Sequence, residues 1–233
     1  MSDTPRLALP LVAAAQAQKH VTVNEALSLV DTLMQPVAAS ASETVPPATP
    51  AEGALYAVPA GATGAWAGRD GSLALWLAGA WSYRTPWRGM TLFVADRGEL
   101  ALYDTALGWV AARAVSPHGA AMAEAVIEGE VTLAGDSVDS AVLIPARSVV
   151  IGVSTRTTQA VTGSSSYHCG ISGEPAKFGG SLGVAPGASN VGVIGPTAFY
   201  ADTPVRITAN GGSFTAGRVR IAVHCLRPSA PLS

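Results

Sequence analysis

Arg218-Val-Arg-Ile-Ala-Val-His224 alternates apolar and polar side chains with a period of two. On a strand, that spacing puts Val219, Ile221 and Val223 on one face and Arg218, Arg220 and His224 on the other. The segment therefore reads as a β-strand with one buried and one wet face. Working outward, residues 128–228 hold further runs rich in Val, Ile, Thr and Ser. They are Glu130–Leu133, Ser140–Ile144, Val149–Arg156, Ser166–Ile171, Gly180–Val184, Asn190–Ile194, Thr197–Ala201 and Pro204–Ala209. Turn signals punctuate them at Gly135-Asp136, Gly163-Ser164, Gly173-Glu-Pro175, Pro186-Gly187, Gly195-Pro196 and Asn210-Gly-Gly212. Short strands with regular turns predict an antiparallel β-sandwich of jelly-roll type over 128–228.

Residues 53–113 hold all five tryptophans and read as a small, internally duplicated β domain. Gly53-Ala-Leu-Tyr-Ala-Val58 resembles Gly89-Met-Thr-Leu-Phe-Val94 in type. Gly71-Ser-Leu-Ala-Leu-Trp76 resembles Gly98-Glu-Leu-Ala-Leu-Tyr103, and each of these is followed by a tryptophan, Trp81 or Trp109. Strand, glycine turn, strand ending in an aromatic, turn and Trp is the grammar of β-hairpins. Two copies predict two similar β units packed together and are too few for a solenoid.

Residues 1–36 read as an N-terminal anchor. Asn24 is a candidate helix N-cap, Leu27, Val30, Leu33 and Met34 recur at helical spacing, and Pro36 ends the run. One such helix cannot fold alone and needs a partner. Residues 37–52 carry Pro46, Pro47 and Pro50 and read as an extended linker. Residues 114–127 read as a connector with a short helix after Pro117. The whole chain is thus expected to be mainly β.

Apolar residues make up 48% and charged residues 13% of the chain, against about a quarter charged in ordinary domains. The exposed surface must therefore be built from Ser, Thr, Asn, Gly and Ala. A net charge of −2 offers no basic field for a phosphate backbone, so nucleic acid is not an expected partner. No apolar run reaches membrane-spanning length, and Asp3, Pro5 and Pro10 spoil a signal-peptide reading. Cys169 and Cys225 read as two small buried residues rather than a bridge. Neither a metal nor a cofactor is expected: there is no CxxC, and the four histidines are dispersed.

The segment Leu9-Pro-Leu-Val-Ala-Ala-Ala-Gln16-Ala-Gln-Lys19-His20-Val-Thr-Val-Asn24-Glu25-Ala-Leu27 resembles the opening of an uncharacterised family of alphaproteobacterial prophages and gene transfer agents. Gly61-Ala-Thr-Gly-Ala-Trp66-Ala-Gly68, Gly173-Glu-Pro-Ala-Lys-Phe-Gly-Gly-Ser-Leu-Gly183 and Asn190–Tyr200 extend the resemblance over most of the chain. It implies a tail-fibre, head-spike or host-specificity component, part of a particle released by lysis, with bacterial surface polysaccharide and other particle proteins as partners. It also implies that the N-terminal segment, with Gln16, Lys19, His20, Asn24 and Glu25, attaches the chain to the particle. No catalytic residues come with it.

Carbohydrate presents apolar C–H faces that flat rings cover while polar groups bond the hydroxyls. Trp66, Tyr83 and Trp87, beside Gly, Arg and Pro, are candidate stacking residues, and the region is similar to the small aromatic carbohydrate-binding modules of chitinases. Glu174, Lys177 and Phe178, with Tyr200, form a second candidate set. Trp76 and Trp109 read as core. Asp136 and Asp139 are weak candidates for calcium. No nucleophile elbow or phosphate-cradling loop is present, and His168 and Cys169 point to opposite faces of a strand. The expected function is therefore non-enzymatic surface binding by a homo-oligomer. A structural connector is the alternative.

Overall fold

The computed structural model describes residues 3–12 and 19–232. The chain divides into two compact units, Met1–Gly119 with Pro231–Ser233, and Ala120–Ala230. It is mainly β, with one N-terminal helix.

The first unit opens with α1 (Lys19–Leu33). The helix starts ahead of Asn24, so Asn24 is not its N-cap. The Asn24 amide instead accepts from the backbone N–H of Val12 and donates to its carbonyl, at 2.8 and 3.1 Å. Buried Asp31 is the main tie to the segment before the helix. It accepts from the Thr4 hydroxyl at 2.8 Å and from the amides of Arg6 and Leu7. The Arg6 guanidinium donates to the carbonyls of Thr32 and Gln35, which satisfies the unpaired end of the helix.

Strands β1 (Val37–Ala38), β2 (Leu55–Ala57), β3 (Leu73–Leu77), β4 (Ala80–Arg84), β5 (Thr91–Val94), β6 (Glu99–Asp104), β7 (Gly108–Ala111) and β8 (Ala114–Val115) follow. β2–β3–β4 and β5–β6–β7 are two three-stranded antiparallel meanders, the two copies expected from the duplication. Trp76 lies directly opposite Trp81, and Tyr103 directly opposite Trp109. The two ring pairs have nearly the same geometry, with centroids 5.0 and 5.2 Å apart and planes at 64° and 62°.

The proline-rich segment read as a linker begins inside the sheets. β1 pairs in parallel with β5, while Ala39 N–H donates to the Leu55 carbonyl and Ala57 N–H to the Ser40 carbonyl. One stretch of backbone thus bonds both meanders. Ala38, Leu55, Leu73, Leu75, Leu92 and Val94 close a common core around it. Small residues in 37–41 let the two sheets approach, a role that hydropathy does not reveal.

The second unit contains β9 (Ala121–Thr132), β10 (Ser137–Ile144), β11 (Ser148–Ile171), β12 (Glu174–Leu182), β13 (Ser189–Phe199) and β14 (Thr203–Pro228). β11 and β14 run antiparallel from Val149 opposite Leu226 to Gly170 opposite Arg206. The first half of β11 pairs outward with β13 and its second half with β12. The second half of β14 pairs with β9 and its first half with β10. Two layers result, β9–β14–β11–β13 and β10–β14–β11–β12, sharing both long strands. Val150, Val153, Ile221 and Val223 from one layer meet Ile144, Tyr167, Phe178 and Ile207 from the other in a single core. This connectivity is a jelly roll, as the strand pattern predicts.

Several local expectations are corrected. Gly163-Ser164 and Asn210-Gly-Gly212 are bends within continuous strands, not turns. Gly195-Pro196 does not interrupt β13, and the glycine-rich run 174–180 is strand β12. The connector segment 121–127, read as helical, is the start of β9. Its inward positions are small (Ala123, Ala125), so its period of two is faint in hydropathy, and pairing with 218–228 makes it a strand.

At the bend, Gly163 and Gly212 both have φ of 84°, and Gly211 beside the latter has φ of 82°. A Cβ on Gly163 would lie 2.1 Å from the Ser213 carbonyl oxygen, and one on Gly212 would lie 2.2 Å from the Gly163 carbonyl oxygen. Gly163→Ala or Gly212→Ala is expected to lower the unfolding free energy by more than about 2 kcal/mol, through left-handed strain plus overlap. Gly173→Ala, with positive φ and open space around it, is expected to cost only about 1 kcal/mol. Denaturant unfolding followed by circular dichroism checks the ranking, and equal losses at all three positions would contradict it.

Candidate functional site

The two meanders do not use their matching tryptophans alike. Trp81 packs into an aromatic cluster, 5.2 Å from Trp66 and 5.8 Å from Tyr56 between ring centroids. Trp109 has no such cluster. Its ring meets Tyr103 and its Nε1 donates to the Gly71 carbonyl at 3.0 Å, which ties the second meander to the first. Half-buried Trp109 thereby becomes one wall of a cleft of about 260 Å3. Val58 and Pro59 after β2, Asp70 and Gly71 before β3, and Leu107 and Gly108 at the start of β7 complete the seam. Sequence reasoning places Trp109 in the core, against which it packs, but passes over its cleft-lining surface and Asp70. The only signal for the difference is that the first copy supplies Tyr56 and Trp66 to pack against its tryptophan.

Two hydrogen-bonded carboxylates fix this cleft. Asp70 Oδ2 accepts from Gly61 N–H at 3.2 Å. Asp104 accepts from the amides of Ala106 and Leu107 at 2.9 and 3.3 Å, and from Arg88 Nε at 2.9 Å. It thus shapes the turn that carries Leu107, Gly108 and Trp109. The Ala106 amide is the largest influence holding the Asp104 carboxyl below its ordinary range; Arg88 and Leu107 add to it, and burial opposes it.

The expected stacking residues divide into buried and exposed groups. Trp66 is 0% exposed and Phe178 2%. Both are core residues, which corrects their assignment to a sugar-binding surface: a ring sealed on all sides has no face to offer. Tyr83 is half-buried, its hydroxyl donating to the Ala65 carbonyl and the Arg69 guanidinium lying 4.6 Å over its ring. Trp87 is 60% exposed, on the segment between β4 and β5, beside buried Pro86.

In the jelly roll, Glu174 and Lys177 form an ion pair at 3.0 Å at the start of β12. Tyr200, 85% exposed, lies between β13 and β14. The β11–β12 and β13–β14 connections fall at the same end of the sandwich as the β10–β11 connection, where Ala146 N–H donates to Asp202 at 2.7 Å. The topology therefore brings Glu174, Lys177 and Tyr200 to one end. The bends at Gly163 and Gly212 lie at the other.

Of the expected attachment residues, Gln16 lies outside the described residues, as do the side chains of Lys19 and His20. Asn24 is occupied by Val12, and Glu25 is exposed on α1. Val21, Val23 and Val30 give that helix exposed apolar side chains, and Met34 just after it adds another.

Asp136, Asp139 and Glu130 of the second unit are engaged with neighbours. Asp139 makes a two-pronged ion pair with Arg206, Asp136 accepts from the Ser213 hydroxyl, and Glu130 faces Arg218 and Arg220. Cys169 and Cys225 are free thiols buried in the core, and burial pushes Cys169 up to about 12. No helix among the described residues is long and apolar enough to cross a membrane.

The model of a family described as proteins of unknown function, DUF2793, matches residues 23–110, a span that contains the whole cleft. No curated protein matches the chain. Among solved structures, the chain is similar to one described as the Cyanophage Pam1 capsid asymmetric unit, at 19% identity and a TM-score of 0.36, covering 54% of this chain and 97% of that one.

Because the folded state depresses the Asp104 pKa, its contribution to stability is present above the ordinary carboxylate range, about pH 4, and is lost as the pH falls through the lower folded value. Asp104→Asn is expected to be less stable than the wild type at neutral pH, and the gap is expected to close in acid. Urea midpoints measured across that range check this. A gap independent of pH would show that the carboxylate charge is not what holds the turn.

Proposed function

We propose that this chain is a receptor-binding fibre or spike subunit of a phage-like particle such as a gene transfer agent, and that it binds bacterial capsule or surface polysaccharide without enzymatic chemistry. The observation that carries this reading is that large rings are held out to solvent on rigid β scaffolds. Trp87 is 60% and Tyr200 85% exposed, in a protein with enough core to have buried them. Rings left uncovered on ordered segments are characteristic anchors for a partner, and their flat faces suit the C–H surfaces of sugars. A chain with a net charge of −2 and few charged residues suits glycan hydroxyls better than a polyanion.

The particle context is supported by the resemblance of residues 9–27 to prophage and gene-transfer-agent proteins. In this reading the exposed Val21, Val23 and Val30 of α1, with Met34 just after it, meet another particle protein. A homo-oligomer is supported by apolar side chains left on sheet faces. Val37, Phe93 and Leu100 stand side by side across β1, β5 and β6, and Val191 and Val193 are 72% and 76% exposed on β13. The same apolar rows favour the second reading, a connector that anchors another adhesin.

A glycan array probed with the purified full chain tests the choice. Binding to bacterial surface polysaccharides is expected, weakened at least about tenfold by Trp87→Ala or Tyr200→Ala through loss of a stacking face. Absence of all glycan binding, with tight association to a second particle protein, would replace this reading with the connector.

A further inference from the structure

We infer that the cleft at the seam of the two meanders is a binding site for one uncharged sugar residue, with Trp109 as its stacking wall and Asp70 as its hydroxyl acceptor. This rests on the polysaccharide-binding reading and adds a site that none of the expected stacking residues occupies.

The argument starts from the duplication. Trp81 and Trp109 hold equivalent positions, each directly opposite an aromatic with nearly identical ring geometry. Both rings are half-buried against a core, but Trp81 meets Tyr56 and Trp66 as well, whereas Trp109 meets only Tyr103 and its remaining surface lines the cleft. The Trp109 N–H is already bonded to Gly71, so what the ring offers the cleft is its apolar surface.

Asp70 faces the same cleft, with one carboxylate oxygen oriented by Gly61. An apolar wall with a single oriented acceptor is the combination that holds a sugar ring by its C–H face and by a hydroxyl pair. The described lining contains this carboxylate and no Lys or Arg. A uronic or sialic acid would meet repulsion there with no cation to offset it, so the class is neutral. A volume near 260 Å3 lies just below the usual range for ligand pockets, about 300–1,000 Å3, and suits one ring rather than an oligosaccharide. The site is also preformed, since Asp104 holds the turn bearing Leu107 and Gly108.

The test uses the full chain and a panel of methyl glycosides of glucose, galactose, mannose, rhamnose and N-acetylglucosamine, with methyl glucuronide as the charged arm. Binding is measured by ligand-observed NMR and calorimetry. At least one neutral glycoside is expected to bind, and the glucuronide at least about tenfold more weakly. Asp70→Ala and Trp109→Phe are each expected to weaken the neutral ligand about tenfold. Because Trp109 also ties the meanders together, Ala60→Trp is the second variant. Ala60 is an exposed lining residue, and the substitution is expected to fill the cleft and abolish binding without lowering the unfolding midpoint.

Neutral-glycoside binding unchanged by Ala60→Trp and Trp109→Phe overturns the cleft while leaving the polysaccharide reading intact. Retention of polysaccharide with no neutral glycoside bound does the same. Preference for the glucuronide overturns the ligand class. Failure of the wild-type chain to bind any glycoside or polysaccharide overturns both readings.

Discussion

In each unit, continuous backbone must serve two sheets, and the rest of the structure is arranged around that requirement. In the jelly roll, β11 and β14 leave one layer and enter the other together, and they pass each other at Gly163 and Gly212 with no room for a Cβ on either. Once they turn, β9 and β13 are confined to one layer and β10 and β12 to the other, so Val150, Val223, Tyr167 and Ile207 are bound to meet. The Tyr167 hydroxyl survives burial because Thr157 bonds it and the Gly183 carbonyl together. In the first unit the shared backbone is 37–40, bonded to β5 on one side and β2 on the other. That tie brings the copies together, and the cleft beside Trp109 is the gap left where they meet.

Much of this is legible in the residues. Val149–Arg156, Ser166–Ile171, Pro204–Ala209 and Arg218–His224 alternate well enough to mark the four half-strands that the bends separate. What is not legible is that Gly163-Ser164 and Asn210-Gly-Gly212 bend a chain that continues, because turn and bend call on the same positive-φ chemistry. β9 hides for another reason: with Ala at its inward positions, its partner β14 supplies the apolar surface. The duplication of 53–113 is readable from type alone, down to the Trp76–Trp81 and Tyr103–Trp109 pairs.

The candidate sites were harder to read, because exposure is decided by what covers a ring rather than by its neighbours in sequence. Trp66 sits among glycines, the context expected of a loop, yet Tyr56 and Trp81 close over it. Trp109 packs against the core of its unit, as its strand position suggests, and also lines the cleft. Trp87 does project as its turn-like surroundings suggest, and Tyr200, expected inside a strand over Thr197–Ala201, projects because β13 ends at Phe199. In the proposed reading, recognition would rest on rings at strand ends and seams of the sheets, where binding orders little that is not already ordered.

The most direct measurement is NMR of the five indole N–H groups during titration with a neutral methyl glycoside. Each tryptophan reports separately, and Trp66 serves as an internal control buried in its own cluster. The Trp109 signal is expected to shift in proportion to saturation while the Trp66 signal stays fixed. A titration in which no indole moves, or in which only Trp87 responds, would contradict a sugar site at the seam.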